Sequence, residues 1–409
     1  MGSTEKILGF AEARAVVEAH AAKIAPPPAE ILPLLEAVGR ILAEDIAADR
    51  DFPPFPRATR DGYAVRSEDL TSLPAQLRVI GQIKAGEMWN GASPQRAQCL
   101  EIMTGAPVPQ GVDAVVMVEY TRQNGDVVNI ERAVVCGENV VPTGSEARRG
   151  QVLLTRGTRL NAAQIGVAAS AGKDRVAVYR RPRIAILSTG DEIVDVAATP
   201  ELHQIRNSNS YSLAAQVLKA GGEPVQLPIA PDDAIRLRSL IQEGLEADLL
   251  LLSGGVSMGK YDFVEQVLEE FGAEFYFTGA LIQPGRPVVF GQTKKGKKKY
   301  FFGLPGNPVS TLVTFEVFAG CMVAALAGAK WPLQFAMARL AAPVKMKTGL
   351  TRFLPSRRGG EMGEPTVEVV PWQGSGDMAA TARANCYLIV PPDKPELASG
   401  ELVSVLLPQ

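Results

Sequence analysis

Three stretches of this 409-residue chain share one pattern, an apolar run that stops on a loop of small residues before a further element. Residues 183–193 read RIAILSTGDEI, residues 248–259 read DLLLLSGGVSMG, and residues 300–311 read YFFGLPGNPVST. Short apolar runs alternating with helical patterns predict parallel strands joined by crossover helices, so residues 182–330 are expected to form a doubly wound α/β sheet. In such a sheet the loops at the carboxyl ends of the strands gather on one edge, where ligands bind. Glycines there let a ligand approach the backbone closely, and Asp191 and Glu192 offer hard oxygen donors for a cation. Pro305 and Pro308 stiffen the loop around Gly306 and Asn307, placing its N–H groups and the following helix start as an anion pocket.

A chain of this length exceeds one hydrophobic core, which stops growing near ~250–300 residues. Residues 1–48 and 143–181 read as helical and extended linker segments, with helices expected over residues 5–22, 31–43 and 161–171. Residues 49–142, rich in short β-branched runs and turn residues, read as an inserted small β domain, and residues 331–409 as a C-terminal β-barrel. The fold class is therefore α/β plus all-β. Residues 317–329 carry no charge, but a span needs ~20 apolar residues, so a buried helix is expected.

A net charge of −2 gives no general attraction to nucleic acid or anionic membranes. The local run KKGKKK at 294–299 reads as a solvated hairpin tip. Four scattered cysteines lack the pairing of a zinc site, and two histidines, His20 and His203, leave oxygen ligands as the metal donors to consider. The N-terminus has no secretory pattern, and Lys6 stands where a myristoylation signal needs Ser or Thr, so a cytoplasmic location is expected.

Several site candidates have two readings. Asp191 and Glu192 suit magnesium, or else cap a following helix, although Pro and Ala soon break any helical pattern there. Asp232 and Asp233 open a helix and read equally as caps. Residues 254–260 fit the G-x-x-x-x-G-K spacing of a phosphate loop, but Tyr261 replaces the hydroxyl that would hold magnesium, which counts against a nucleotide hydrolase. Asp61, Thr104 and Ser375 read by themselves as turn residues.

Five segments in order, DGYAV (61–65), IMTGAPVPQGVDAVVM (102–117), STGDE (188–192), SGGVSMGKYD (253–262) and GLPGNPVS (303–310), resemble the molybdopterin molybdenumtransferases, a family that includes the C-terminal domain of gephyrin. The resemblance covers nearly the whole chain and implies the same four-part arrangement in an elongated homodimer with a shared active site. It implies insertion of molybdate into adenylylated molybdopterin with release of AMP. Catalytic roles would fall to Asp61, Thr104, Glu192, Asp232 and Asp262. Molybdopterin and AMP would meet Gly190, Ser253, Gly254, Gly255, Ser257, Gly306 and Asn307, and molybdate would meet Arg286, Pro305, Pro308 and Ser375. Mg²⁺ would sit on Asp61, Asp191, Glu192 and Asp232, and a molybdopterin adenylyltransferase and apo-molybdoenzymes would be partners. Two departures stand out: Gln283 and Pro355 occupy positions where relatives carry Lys and Arg, with Arg352 and Arg357 nearby. Rival readings are an adenylyltransferase of the same pterin-binding fold, which would account for residues 182–330 alone, and a non-catalytic scaffold.

Overall fold

A computed structural model describes residues 6–255, 263–294 and 298–409. The central sheet has the order Glu223–Gln226, Arg183–Ser188, Leu249–Ser253, Tyr300–Leu304, Val289–Thr293, Ala273–Phe277. The first four strands run parallel and Val289–Thr293 runs against its neighbours. The leucine run explains its own position. Alternate side chains point to opposite faces, so Leu249 and Leu251 join one core with Ile184, Phe302, Leu213 and Val313, while Leu250 and Leu252 join another with Leu187, Leu237 and Val264. A strand apolar on both faces must lie between two helical layers. The register pairs Ser188 with Ser253 and Ser253 with Leu304, so three strands end level and release their loops side by side.

The helix Pro308–Leu326 is largely buried, as expected for residues 317–329. Its middle, Phe315–Ala319, is a π turn.

Residues 29–48 and 152–179 come together around Leu42, Ile46, Leu160 and Val178, with the helix Ala162–Ser170 packed on them. Two expectations are corrected here. The run 31–43 is the strand Ala29–Pro33, paired antiparallel with Arg175–Tyr179, followed by a 3-10 turn, Leu34–Ala37. Pro33 has no N–H to give a helix interior, and the β ladder satisfies the backbone on either side of it. The first helix spans Phe10–Ala21 and belongs to the central domain, not with the rest of residues 1–48. Its Ala13 and Val17 enter the central core, and the strand Ile7–Leu8 pairs with Gly279–Ala280. Arg14, 7% exposed, donates to the carbonyls of Val317 (2.7 Å) and Trp331 (2.8 Å).

The inserted lobe is a six-stranded sheet in the order Ala114–Met117, Gly62–Val65, Gln98–Ile102, Ala75–Ile83, Val127–Ile130, Thr121–Asn124, with its own core of Tyr63, Val65, Leu77 and Val116. At the C-terminus, Thr351–Glu361, Glu364–Val369, Gln334–Leu340, Leu402–Leu407 and Cys386–Val390 pair in turn, and the last pairs with the first, closing a five-stranded barrel over Leu354, Val367, Leu388 and Val405. Closure leaves this sheet without free edges.

Candidate functional site

The three level strand ends open on a cleft of about 760 Å³. Its walls are Ser188–Thr189–Gly190, Ser253–Gly254–Gly255, the loop 305–308 and the start of the helix Ser208–Ala220; Pro287 and the barrel's Gly376 and Met378 complete them. Backbone bonds join the loops: Thr189 N–H donates to the Ser253 carbonyl and Gly254 N–H to that of Leu304, each at 3.1 Å. Two glycines are demanded by geometry. Gly190 has φ 138° and a Cβ there would lie 2.6 Å from the Glu192 carboxylate; Gly254 has φ 92° and a Cβ there would lie 2.8 Å from the Thr189 carbonyl.

Glu192 and Asp232 line the cleft. No helix follows Glu192; the short strand Ile193–Val194 does, so the helix-cap reading fails for it. The Asp232–Asp233 ambiguity divides between the two residues. Asp233 accepts the Arg236 N–H at 2.8 Å and caps Ala234–Gly244, whereas Asp232 is left to the cleft. Burial pushes the Asp232 carboxyl above its usual range, and the charges of Asp191 and Glu192 push it further. Asp191 accepts the Asp232 N–H at 3.0 Å and does not line the cleft itself.

The four-carboxylate metal set is not gathered in one chain. Among the described residues no group of three or more His, Cys, Asp or Glu is arranged to hold a metal ion. Asp61 lies on the inserted lobe, away from the cleft lining, where its Oδ1 accepts the Thr104 N–H (2.6 Å) and hydroxyl (2.8 Å). The backbone bond, then the hydroxyl, holds this carboxyl below its usual range.

Around the expected anion loop, Asn307 is the residue before the helix and Pro308 its first residue. Ser375 is present by its backbone: its carbonyl accepts the Val309 N–H at 3.0 Å, so one helix-start donor is already used, and the Ser375 side chain is not part of the lining. Arg286 is exposed beside Pro287 but does not line the cleft. Ser257 and Asp262 lie outside the described residues.

Sequence reasoning missed Thr189, Arg206 and the polar start of the helix Ser208–Ala220, all in the lining. Asn207 Oδ1 accepts the Ser210 N–H (3.1 Å) and the Ser188 hydroxyl (3.0 Å), capping the helix and tying it to the first strand. Asn209 donates to Ser253 Oγ (2.8 Å) and the Gly306 carbonyl (2.7 Å). The run NSNS at 207–210 carried the available signal, since Asn and Ser favour helix starts.

A ligand cleft on a doubly wound domain, set among a linker, an inserted β lobe and a closed barrel, defines a multidomain architecture of the MoeA type. Residues 8–172 match the MoeA N-terminal region (domain I and II), 185–324 a probable molybdopterin binding domain, and 337–407 the MoeA C-terminal region (domain IV). The chain belongs to the molybdopterin molybdenumtransferase family. It is 34% identical to the molybdopterin molybdenumtransferase of Haemophilus influenzae over 93% of this chain and 94% of that one, and 33% identical to that of Bacillus subtilis over 92% and 89%. A molybdopterin biosynthesis moeA protein from Pyrococcus horikoshii OT3 superposes with a TM-score of 0.80 at 29% identity, covering 98% of this chain and 100% of that one.

Proposed function

We propose that the chain inserts molybdate into adenylylated molybdopterin and releases AMP. The observation that carries this is the cleft itself: glycine loops that admit a ligand against bare backbone lie beside two carboxylates, Glu192 and Asp232, on a domain matched as molybdopterin-binding. Glycine-lined N–H groups suit the phosphates and oxyanion of such a substrate.

Magnesium belongs to this reading, with substrate oxygens completing a donor set that the described carboxylates of one chain do not make by themselves. Glu192 and Asp232 are hard oxygen donors, and burial, with the charges of Asp191 and Glu192 added, raises the Asp232 carboxyl. Glu192 and Asp232, the carboxylates that line the cleft, would hold Mg²⁺ together with oxygens of the substrate, and the ion when bound would polarise phosphoryl oxygens. The chain's own residues seat the substrate: the loops at 188–190 and 253–255 receive pterin and phosphate, and the 305–308 loop receives molybdate, with Arg286 as a nearby cation.

A homodimer with a shared site accounts for Asp61 and Thr104, which one chain leaves away from its own cleft. A two-fold pair can lay each inserted lobe against its partner's cleft. Ile31, Leu35 and Val38, exposed at 64%, 78% and 54% on the linker, supply an apolar face for such pairing. In the cytoplasm, an adenylyltransferase would deliver the substrate and apo-molybdoenzymes would take the product. The test is AMP release from adenylylated molybdopterin with and without molybdate. Release that molybdate stimulates supports the reading, and release indifferent to molybdate refutes it.

A further inference from the structure

We propose that Asn209 is a positioning residue that turns the Gly306–Asn307 peptide so that the Asn307 N–H can bind an oxyanion. The proposal deepens the function above by adding an orienting residue to the anion loop. Asn209 sits in the first turn of the helix Ser208–Ala220, and both hydrogens of its amide are committed, one to Ser253 Oγ and one to the Gly306 carbonyl. Reversing the amide would set Oδ1 against the Gly306 carbonyl, two acceptors facing each other, so the network fixes which way it points.

Fixing the amide has a cost. Asn209 Oδ1 is buried with no partner, an arrangement that native structures seldom tolerate without a use for it. The use lies one peptide along. The Gly306–Asn307 bond is not among the cis peptides. In a planar trans peptide the carbonyl and the next N–H point in opposite directions. Drawing the Gly306 carbonyl onto Asn209 therefore turns the Asn307 N–H away from it. Among the described residues the N–H groups of Gly306 and Asn307 donate to nothing, while Val309 N–H is already held by the Ser375 carbonyl. Of the donors left for an anion at this loop, the Asn307 N–H is the one Asn209 orients. Pro308, lacking an N–H, and the Thr311 hydroxyl, which donates to the Pro305 carbonyl at 2.5 Å, hold the loop on either side.

The experiment titrates molybdate alone into the full-length protein by calorimetry, and titrates molybdopterin separately. Asn209→Ala is expected to weaken molybdate binding about tenfold or more, the loss of an oriented bond to a charged group. Molybdopterin affinity should fall clearly less than molybdate affinity, the remaining loss reflecting the released Ser253 hydroxyl, and Tm should stay within about 2 °C. Asn209→Asp keeps the volume, loses both donors, serves if the alanine variant misfolds, and should show the same selective loss. Molybdate affinity equal to wild type in either variant overturns the proposal, and so does an equal loss for both ligands, which would mean a loosened cleft. Failure of wild-type AMP release would refute the transferase reading alone, because the molybdate titration decides this one.

Discussion

Glu316 places a carboxyl inside the π turn of the long central helix, 3% exposed, where Oε1 accepts the Gln409 N–H at 3.1 Å. Burial pushes it from 4.5 to about 7, while the Gln409 N–H, Lys219 and Arg14 pull the other way without prevailing. The folded state therefore holds this proton more tightly than the unfolded chain. Its stabilising contribution is complete below pH 4.5 and is lost as the pH rises through about 7. A displacement of that size is worth about 3 kcal/mol at 1.36 kcal/mol per pH unit. Glu316→Gln keeps the shape and removes the titration. The difference in Tm between variant and wild type should grow in the variant's favour from pH 5 to pH 8, by roughly 6–12 °C for a domain of this size. Scanning calorimetry at several pH values reads the difference directly, and cancels the carboxylates common to both proteins. Parallel curves for the two proteins would refute the reasoning.

Glu192→Ala is expected to abolish AMP release with Tm unchanged within about 2 °C, because the side chain is exposed on a loop; full activity in that variant would remove Glu192 from the reaction. Gly306→Val should raise the molybdate concentration needed for half-maximal AMP release more than it weakens molybdopterin binding, since a Cβ at 306 already touches Gly254 Cα at 3.6 Å and the added methyls reach into the loop junction. An unchanged molybdate requirement would place the oxyanion elsewhere. Mixing inactive Asp61→Asn and Asp232→Asn chains should restore about a quarter of the sites through random pairing in a two-fold dimer. If exchange between subunits is demonstrated by mass spectrometry and no activity returns, each site is built within one chain.

Much of the central domain was legible because its signals are local. The leucine run at 249–252 announces a strand buried on both faces, and Gly190 and Gly254 announce backbone that other residues cannot adopt. The rest depended on contacts distant in sequence. Residues 31–43 carry enough apolar spacing to imitate a helix, and only the partner strand Arg175–Tyr179 decides otherwise. Asp232 and Asp233 are the same residue type side by side, and a single bond to Arg236 separates the cap from the cleft acid. Asn209 was missed altogether, since nothing in its sequence neighbourhood points to Ser253 or Gly306. Asp61 matched a motif, but a motif does not say whether its acid serves the cleft of its own chain, from whose lining it is absent.

The buried guanidinium of Arg14 also dictates an order of events during synthesis. The helix Phe10–Ala21 leaves the ribosome first, but the carbonyls that receive Arg14 belong to Val317 and Trp331, some 300 positions later. At elongation speeds of about 5–20 residues per second, that gap lasts roughly 15–60 s. Over that interval Ala13 and Val17 have no completed core to enter, although every strand of the inserted lobe has already been made. The earliest helix among the described residues is thus one of the last pieces to be seated, its Ala13 and Val17 uncovered until the central domain closes over them.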